Sequence, residues 1–194
     1  MEQSETFVSV DVETAGPVPS QHSLLSIGAC LAERPDEGFY VELRPEHAAS
    51  EPGALAVSGL SLADLARDGT PPEQAMRDFA TWLERVVPDG SRPVFVALNA
   101  PFDWMFVSDA FARHLGHNPF GYSALDIKAY YMGLTGVPWA RTGMRDLGPA
   151  YLGGRELTHN ALADARDQAE IFTALLHTER RTTPRRNGHE RERT

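Results

Sequence analysis

Residues 7–16 read FVSVDVETAG, an apolar run that carries two acidic side chains. The alternation of valine with polar residues predicts a β-strand over about 6–13, because successive side chains of a strand point to opposite faces. The three valines then share one face, while Asp11 and Glu13 stand side by side on the other. Two neighbouring carboxylates are costly unless solvent, a base or a metal ion compensates their charge. The rest of the chain must supply that compensation.

Length and composition indicate one globular domain. The chain has 194 residues, of which 42% are hydrophobic and 23% charged, and this is enough for one well-packed core. No apolar run approaches the roughly 20 residues of a membrane span, and the acidic N-terminal segment lacks a signal-peptide pattern. We therefore expect a cytoplasmic protein without membrane contact. Cys30 has no second cysteine to pair with, and we expect it to be a small buried strand residue.

The charge distribution bears on which partners the chain could bind. A formal net charge of −9 argues against a broad basic face that coats long duplexes, but it is compatible with an acidic pocket filled by cations. Residues 179–194 differ from the rest, with six arginines against three glutamates and no apolar side chain. We expect a domain over residues 1–178 and a disordered, Arg-rich tail over 179–194, with a phosphate-contacting arm as the weaker alternative.

Apolar periodicity predicts an α/β fold. Three strands, at about 6–13, 22–32 and 37–43, indicate a meander whose apolar first strand is central. The stretch of small residues at about 45–70 is expected to be a loop. The remaining predicted elements are a helix over 71–87, a strand over 92–100, a helix from Pro101 to Gly116, a short strand at 124–127 and a long helix over 159–179.

Three short stretches place acidic side chains near the ends of these elements: DVE at 11–13, NAPFD at 99–103 and HNALAD at 159–164. Each has an ordinary structural explanation when taken alone. The first is compatible with chance alternation, and the second with a helix cap whose Asp103 offsets the macrodipole. The third is compatible with a helix start that leaves Asp164 exposed. None of the three indicates chemistry by itself.

Together, in this order, the stretches resemble the motifs of the DEDDh 3′–5′ exonucleases, the DnaQ-like branch of the RNase H-like superfamily. The resemblance covers most of residues 6–176, with VDVETAG, NAPFD and HxxxxD similar to the first, second and third motifs. It implies an RNase H-like α/β fold in which helices flank a central mixed five-stranded sheet. The related Tyr-using branch would place tyrosine at position 160, where this chain has Asn160. The five positions that match the catalytic residues of the family are Asp11, Glu13, Asp103, His159 and Asp164.

Three positions depart from the pattern common in that family. Leu98 stands where a histidine often precedes the asparagine, Ala15 replaces a second threonine, and Ser26 replaces an acidic residue. None of them belongs to the five catalytic positions. The departures therefore bear on how the terminal nucleotide is held more than on hydrolysis.

Hydrolysis of a phosphodiester explains why carboxylates are needed. The substrate is anionic, so an attacking water must lose a proton while charge on the phosphate is neutralised, and two metal ions about 3.5–4 Å apart do both. Oxygen ligands favour Mg²⁺ or Mn²⁺, and the chain lacks the cysteine or histidine cluster typical of zinc. We assign Asp11 as the bridging ligand, Glu13 and Asp164 to the ion that binds the attacking water, and Asp103 to the second ion. His159, five residues before Asp164, is the expected general base, although alone it would be interpreted as a surface or capping histidine.

The substrate contacts follow partly from the resemblance, which implies that the backbone near Thr14 holds the 3′-terminal hydroxyl and that Leu24 wedges against the last base. Phe102 is expected mainly in the core, whereas core packing and base stacking are equally compatible with Trp104. The arginines at 141 and 145 are candidates for phosphate contacts, although exposed arginines are usually only solvated. The candidate substrate-binding residues are Thr14, Leu24, Asn99, Phe102, Trp104 and Arg145.

These observations predict a 3′–5′ exonuclease that hydrolyses single-stranded DNA, RNA or short oligonucleotides and releases nucleoside 5′-monophosphates. Its expected cofactors are two Mg²⁺ or Mn²⁺ ions, and its expected partners are single-stranded 3′ ends. A homodimer is a further expectation from the resemblance. The alternative is a catalytically weak subunit that only holds 3′ ends, and a purely structural domain would leave the carboxylates uncompensated.

Overall fold

A five-stranded mixed sheet forms the centre of the protein. The computed structural model describes residues 4–155 and 158–182. The strands are β1 (Ser4–Thr14), β2 (Leu24–Leu31), β3 (Arg34–Glu42), β4 (Ser91–Ala97) and β5 (Ala124–Asp126). Their order is β3-β2-β1-β4-β5; the first three pair antiparallel, and β4 and β5 continue parallel to β1. The predicted α/β fold, the meander and the central position of the first strand are confirmed.

Seven α-helices surround the sheet within the described residues. They are α1 (Pro52–Ser58), α2 (Leu62–Asp68), α3 (Pro72–Val86), α4 (Ala100–Leu115), α5 (Ile127–Thr135), α6 (Met144–Tyr151) and α7 (Ala161–Thr182). None of the helices in this part of the chain is long and apolar enough to cross a membrane. The helices predicted over 71–87, from Pro101 to Gly116 and over 159–179 correspond to α3, α4 and α7. Gly116 ends α4 in the left-handed conformation, with φ of 73°, as a C-terminal glycine commonly does.

The loop predicted at about 45–70 is wrong, because α1 and α2 lie there. Each helix has only seven residues, so neither shows a sustained apolar period. Local chemistry stabilises them instead. Pro52 begins α1, and the Ser61 hydroxyl caps α2 by accepting a hydrogen bond from the Asp64 backbone N–H at 3.3 Å. Leu65 supplies the one buried side chain of α2.

The two faces of the sheet carry separate hydrophobic clusters. The valines of β1 pack with α3 and α4, where Phe79 is fully buried and stacks on Phe39 at 5.0 Å between ring centroids. Phe172 of α7 belongs to the cluster on the opposite face and meets Phe7 edge to face at 5.1 Å. Burying a side chain of this size stabilises the fold by about 1.5–3 kcal/mol. Both faces of β1 are therefore covered, which leaves its C-terminal end as the place where polar side chains gather.

A glycine on β2 allows α7 to lie directly on the sheet. A Cβ atom at Gly28 would stand 2.1 Å from the carbonyl carbon of Ala161 and from the backbone nitrogen of Leu162. No side chain fits in that space. Gly28 is also the register partner of Asp11 across the β1–β2 ladder. The N-terminal turn of α7 is therefore brought next to the acidic end of β1.

Cys30 lies in β2 and is fully buried, as the sequence predicts. Burial raises the pKa of its thiol to about 12, so the thiolate is disfavoured. Its Sγ contacts the carbonyl oxygen of Ala165 on α7 at 3.6 Å. The residue is thus part of the packing between β2 and α7.

Candidate active site

The first and second acidic motifs are joined by a hydrogen bond between a backbone and a side chain. The N–H of Val12 donates to Oδ1 of Asp103 at 3.1 Å. Val12 lies between Asp11 and Glu13 on β1, and Asp103 is in the first turn of α4. Asp103 is only 4% exposed. The carboxylate of α4 is therefore fixed against the strand segment that carries the other two acids.

The turn from β4 into α4 directs Asp103 towards the sheet. Asn99 adopts φ of 73° at the N-cap position of α4, a left-handed conformation that costs energy for any residue with a side chain. Asn99, Pro101 and Asp103 thus occupy the helix-start positions that the cap interpretation of NAPFD gives them, but the Asn99 side chain forms no capping hydrogen bond. Asp126 stabilises the turn instead, because its Oδ2 accepts from the Ala100 N–H at 2.6 Å while its Oδ1 caps α5 at Ala129.

The third motif forms a tight turn around Asp164. The backbone N–H groups of Thr158 and His159 donate to Oδ1 and Oδ2 of Asp164 at 2.8 and 2.9 Å. His159 has φ of 56°, and Asn160 caps α7 by accepting from the Ala163 N–H at 3.1 Å. Asp164 is 2% exposed. The alternative of a solvent-exposed Asp164 is therefore wrong, because the turn folds back onto its carboxylate.

The motifs converge on one cluster. Glu13, His159 and Asp164 each offer one ligand atom, and these atoms lie within 4.8 Å of one another. Asp11 and Asp103 belong to the same cluster, because the charges of Asp103, Asp164 and Glu13 raise the pKa of Asp11 and the charge of Glu13 raises that of Asp103. The structure thus brings together all five residues that the family resemblance selects.

The electrostatics of the cluster are those of uncompensated acids. Burial is the largest cause of a pKa of Asp11 well above its ordinary value, and the charges of Asp103, Asp164 and Glu13 raise it further. Burial likewise raises the pKa of Asp103, against the lowering effect of the Val12 N–H. Burial and the charge of Asp164 raise the pKa of Glu13 to about 7. Repulsion and desolvation therefore both oppose full ionisation of the cluster.

This donor set fits a hard divalent cation. Among the residues that the structure describes, no lysine or arginine forms an ion pair with any of the four clustered carboxylates. Oxygen donors with at most one imidazole suit Mg²⁺ or Mn²⁺ better than zinc or copper. A cation there would supply the positive charge that the protein does not.

The candidate substrate-binding residues on β1, β2 and α4 differ in exposure. Thr14 is buried at the end of β1, and its hydroxyl donates to the Gly16 carbonyl at 2.9 Å. Leu24 is its register partner on β2 and is only 7% exposed. Phe102 and Trp104 are half-buried on α4, and Trp104 meets Phe95 edge to face at 5.2 Å. This contact shows that Trp104 is at least partly a core residue.

The two candidate arginines and Asn99 lie nearer to solvent. Asn99 and Arg145 are exposed. Arg141 is exposed as well, but its guanidinium pairs with Asp146, so part of its donor capacity is used within the protein. Of the two arginines, Arg145 is therefore the better candidate for a phosphate contact.

Sequence reasoning missed three residues that shape the site: Gly28, Asp126 and Gln168. Gln168 is 1% exposed and donates from Nε2 to Oδ1 of Asp11 at 2.6 Å. Its position four residues after Asp164 places it on the same face of α7, and this was the available signal. Asp126 had a signal too, since an aspartate between a short strand and an apolar helix is a typical N-cap. Gly28 had none, because a glycine within a strand does not reveal what packs on it.

Comparison with known proteins agrees with this geometry. The family described as "3'-5' exoribonuclease Rv2179c-like domain" matches residues 6–176. The "3'-5' DNA exonuclease Cap18" of Escherichia coli is 45% identical over 171 residues, which cover 88% of this chain and 91% of the relative. Ribonuclease T of Pectobacterium atrosepticum is 29% identical over 185 residues, covering 87% and 80%.

Solved structures share the fold. The nuclease domain of 3'hExo, described as a DEDDh family member bound to rAMP, has a TM-score of 0.73 at 15% identity, covering 90% of this chain and 93% of that one. Escherichia coli Exonuclease I in complex with a dT13 oligonucleotide has a TM-score of 0.69 at 19% identity, covering 91% and 42%. Fold and motifs together define a 3′–5′ exonuclease of the DEDDh class. Within that class, the chain belongs to the Rv2179c-like family of 3′–5′ exoribonuclease domains.

Proposed function

We propose that this protein hydrolyses single-stranded nucleic acid from the 3′ end by two-metal-ion catalysis and releases nucleoside 5′-monophosphates. The observation that carries the proposal is the convergence of Asp11, Glu13, Asp103 and Asp164 from three separate motifs onto one cluster beside His159. Such an arrangement destabilises a protein that does not use it, because buried carboxylates repel one another. Bound cations remove that cost.

The four carboxylates are the proposed ligands of two Mg²⁺ or Mn²⁺ ions. Asp11 lies centrally, since the charges of all three other acids act on it, and this supports its assignment as the shared ligand. Glu13 and Asp164 lie next to His159, which supports their assignment to the side of the attacking water. Asp103 remains for the second ion. Two ions held there would neutralise charge on the phosphate and lower the pKa of a water molecule.

His159 is the proposed general base. Its backbone is held by the hydrogen bond from its N–H to Asp164 and by its left-handed conformation, while the residue itself is exposed. The imidazole therefore has a fixed attachment and access to solvent. In the proposed step His159 accepts a proton from water, the water oxygen bonds to the last phosphorus, and the bond to the 3′ oxygen of the penultimate nucleotide breaks.

The terminal nucleotide is proposed to bind at the end of β1. The β1–β2 ladder shifts register between Glu13 and Thr14, and such a bulge re-aims backbone groups at the rim of a sheet. This supports Thr14 as the backbone contact of the 3′ hydroxyl, with Leu24 opposite it against the last base. Within the second motif the exposed Asn99 and the half-buried Phe102 are proposed to contact the substrate, and the exposed Arg145 is proposed to contact a phosphate. Trp104 is the weakest of the proposed contacts because of its packing on Phe95.

The sugar preference is the part of the proposal that the relatives leave open. The family description names an exoribonuclease, the Escherichia coli relative is named a DNA exonuclease, and the Pectobacterium relative is named Ribonuclease T. DNA and RNA differ at the 2′-hydroxyl, which a protein senses only through groups close to the terminal sugar. A parallel time course on DNA and RNA oligomers of identical sequence measures the preference directly.

The experiment that tests the proposed function uses oligonucleotides labelled at the 5′ end, with Mg²⁺, with Mn²⁺ and with chelator. We expect a ladder that shortens from the 3′ end only when metal is present, with nucleoside 5′-monophosphates as the product. Asp103→Asn is the matched loss-of-function variant, and Asp109→Asn on the same helix is the control. Metal-dependent binding of 3′ ends without shortening would instead favour a subunit that only holds 3′ ends.

Three further expectations belong to this proposal. Residues 179–194 are proposed to form a tail outside the catalytic domain. The part of that stretch which the structure describes continues α7 as far as Thr182, and residues 183–194 lie outside the described residues. Removal of residues 183–194 is expected to leave cleavage of dinucleotides unchanged. It should weaken the binding of longer substrates at low salt only if the arginines contact phosphates.

The homodimer and the cytoplasmic location are the two other expectations. Light scattering tests the homodimer, and cell fractionation tests the location.

A further inference from the structure

The buried Gln168 on α7 makes two hydrogen bonds that fix the orientation of its amide. Its Oε1 accepts from the backbone N–H of Leu98 at 2.7 Å, and its Nε2 donates to Oδ1 of Asp11 at 2.6 Å. A backbone N–H only donates, so the oxygen of the amide must face Leu98. The NH₂ group must then face Asp11. Since Gln168 is 1% exposed, water has little access to replace either bond.

These two bonds connect all three motifs through one side chain. Gln168 lies one helical turn after Asp164 of the third motif. Leu98 directly precedes Asn99, where the backbone turns with φ of 73° into the second motif. Asp11 belongs to the first motif, and the charges of the other three clustered acids all act on it. Any rotation of α7 relative to the sheet would therefore break a hydrogen bond to the first or second motif.

We propose that Gln168 is a positioning residue that orients Asp11 for cation binding while leaving its charge intact. This inference rests on the proposed function, because it assigns Asp11 to the cations. An arginine or lysine at this place would also orient the carboxylate, but it would neutralise the negative charge and compete with a divalent ion. A neutral amide donor orients the Asp11 carboxylate without competing with a cation for its charge. Partners of this kind around metal ligands typically contribute 10–100-fold to metal affinity or activity.

The length of the side chain is part of the inference. Gln168 must reach from α7 to two neighbouring strand regions, β1 at Asp11 and the end of β4 at Leu98. Asparagine has the same amide on a side chain one methylene shorter, so it can serve one partner but not both. Methionine has nearly the length of glutamine but neither a strong donor nor a strong acceptor. Gln168→Asn therefore tests the length of the side chain, and Gln168→Met tests its hydrogen bonds.

The test compares Gln168→Met and Gln168→Asn with wild type in two measurements. The first is the Mg²⁺ concentration that gives half of the metal-induced rise in Tm, measured without substrate. The second is kcat and KM for a single-stranded oligonucleotide at several Mg²⁺ concentrations. Gln74→Met is the matched control, because Gln74 donates to Oδ1 of Asp78 at 2.7 Å on the exposed face of α3, and so it removes a similar amide–carboxylate pair far from the site.

We expect both Gln168 variants to need about 10–100-fold more Mg²⁺ for half of the Tm rise. At fixed Mg²⁺ their kcat should fall while KM for the oligonucleotide stays near wild type. Gln74→Met should match wild type in both measurements. A purely structural role would lower Tm in chelator without changing the Mg²⁺ requirement, and that result would overturn the inference. If Gln168→Met does not fold, Gln168→Asn decides, because it retains an amide.

The wild-type measurements separate the role of Gln168 from the proposed function. A wild type that neither gains Tm with Mg²⁺ nor shortens oligonucleotides contradicts the proposed function itself. A wild type that does both, together with Gln168 variants whose Mg²⁺ requirement is unchanged, contradicts only the role given to Gln168.

Discussion

The backbone N–H of Val12 and the carboxylate of Asp103 are separated by 91 positions in sequence and by 3.1 Å in space. The pairing of β1 with β4 ends at Ser9 and Val96, three residues before Val12. Beyond Ser9 the N–H of Val12 donates to the carboxylate of Asp103, where a strand partner would otherwise accept. The site is therefore built where the β1–β4 ladder stops. Backbone N–H groups hold Asp103 and Asp164, and the neutral amide of Gln168 holds Asp11, so none of these three carboxylates is held by an opposite charge.

His159→Ala is expected to slow hydrolysis about 10²–10⁴-fold at neutral pH, the usual contribution of a positioned general base. The Mg²⁺-induced rise in Tm should remain, because the four carboxylates are unchanged. Single-turnover kinetics and melting curves on the same preparation check both expectations. His117→Ala, a change at an exposed histidine after α4, is the control. Near-normal turnover would exclude His159 as the base, and loss of the Tm rise would make it a metal ligand.

Stability without metal should fall as the pH rises from about 4.5 to about 7. The folded pKa of Glu13 is about 7 against an ordinary value of 4.5, so between these values the folded state binds more protons than the unfolded state. The free energy of unfolding then decreases with rising pH. Asp11 and Asp103 have raised pKa values too, and they act in the same direction.

Glu13→Gln should flatten this pH dependence, because it removes one of the groups that lose a proton within the window. Chemical denaturation in chelator at several pH values measures the slope. Glu84→Gln, at an exposed position of α3, should leave the slope as in wild type. A Glu13→Gln slope parallel to that of wild type would show that Glu13 carries no raised pKa.

Gly28→Ala should strongly reduce activity and stability together, because the added Cβ would lie 2.1 Å from backbone atoms of Ala161 and Leu162. Moving α7 away from β2 displaces Asp164 from the other acids. Overpacking of this kind typically costs about 1–3 kcal/mol. Gly133→Ala is the matched control, since no atom lies within 4 Å of its added Cβ, and inside α5 it should stabilise by up to about 1 kcal/mol. Full activity of Gly28→Ala would refute the close approach of α7.

The sequence predicted the parts of the site that local pattern and motif spacing determine. The alternating valines of β1 predicted a strand with a buried apolar face, and β1 is the central strand of the sheet. Asp11, Glu13, Asp103, His159 and Asp164 were selected by resemblance to a known set of motifs, and the structure brings them into one cluster. No rule of strand or helix periodicity alone would have joined three motifs so far apart in the chain.

The parts that the sequence did not predict depend on contacts between distant residues. The spacing of Gln168 from Asp164 indicates that the two share a helix face, but a glutamine on an amphipathic helix is usually solvated, so the spacing does not reveal the partners Leu98 and Asp11. The space available at Gly28 depends on α7, which lies more than 130 positions later. The helices α1 and α2 are too short for an apolar period to emerge. Tertiary contact therefore decides the outcome at Gln168 and Gly28, whereas local helix starts stabilise α1 and α2.

If the paired carboxylates of VDVETAG serve to bind cations, melting curves of Asp11→Asn with chelator and with Mg²⁺ should reveal it. Asparagine keeps the shape and the oxygen that Gln168 contacts, but it removes one charge from the cluster. We predict a higher Tm than wild type in chelator, loss of most of the Mg²⁺-induced rise, and loss of activity. In wild type that rise should correspond to about 2.7 kcal/mol once Mg²⁺ reaches roughly 100 times its Kd. Asp89→Asn, in the exposed loop before β4, should change none of these. A wild type without a metal-dependent rise, or an Asp11→Asn protein that melts lower in chelator and remains active, would contradict the account.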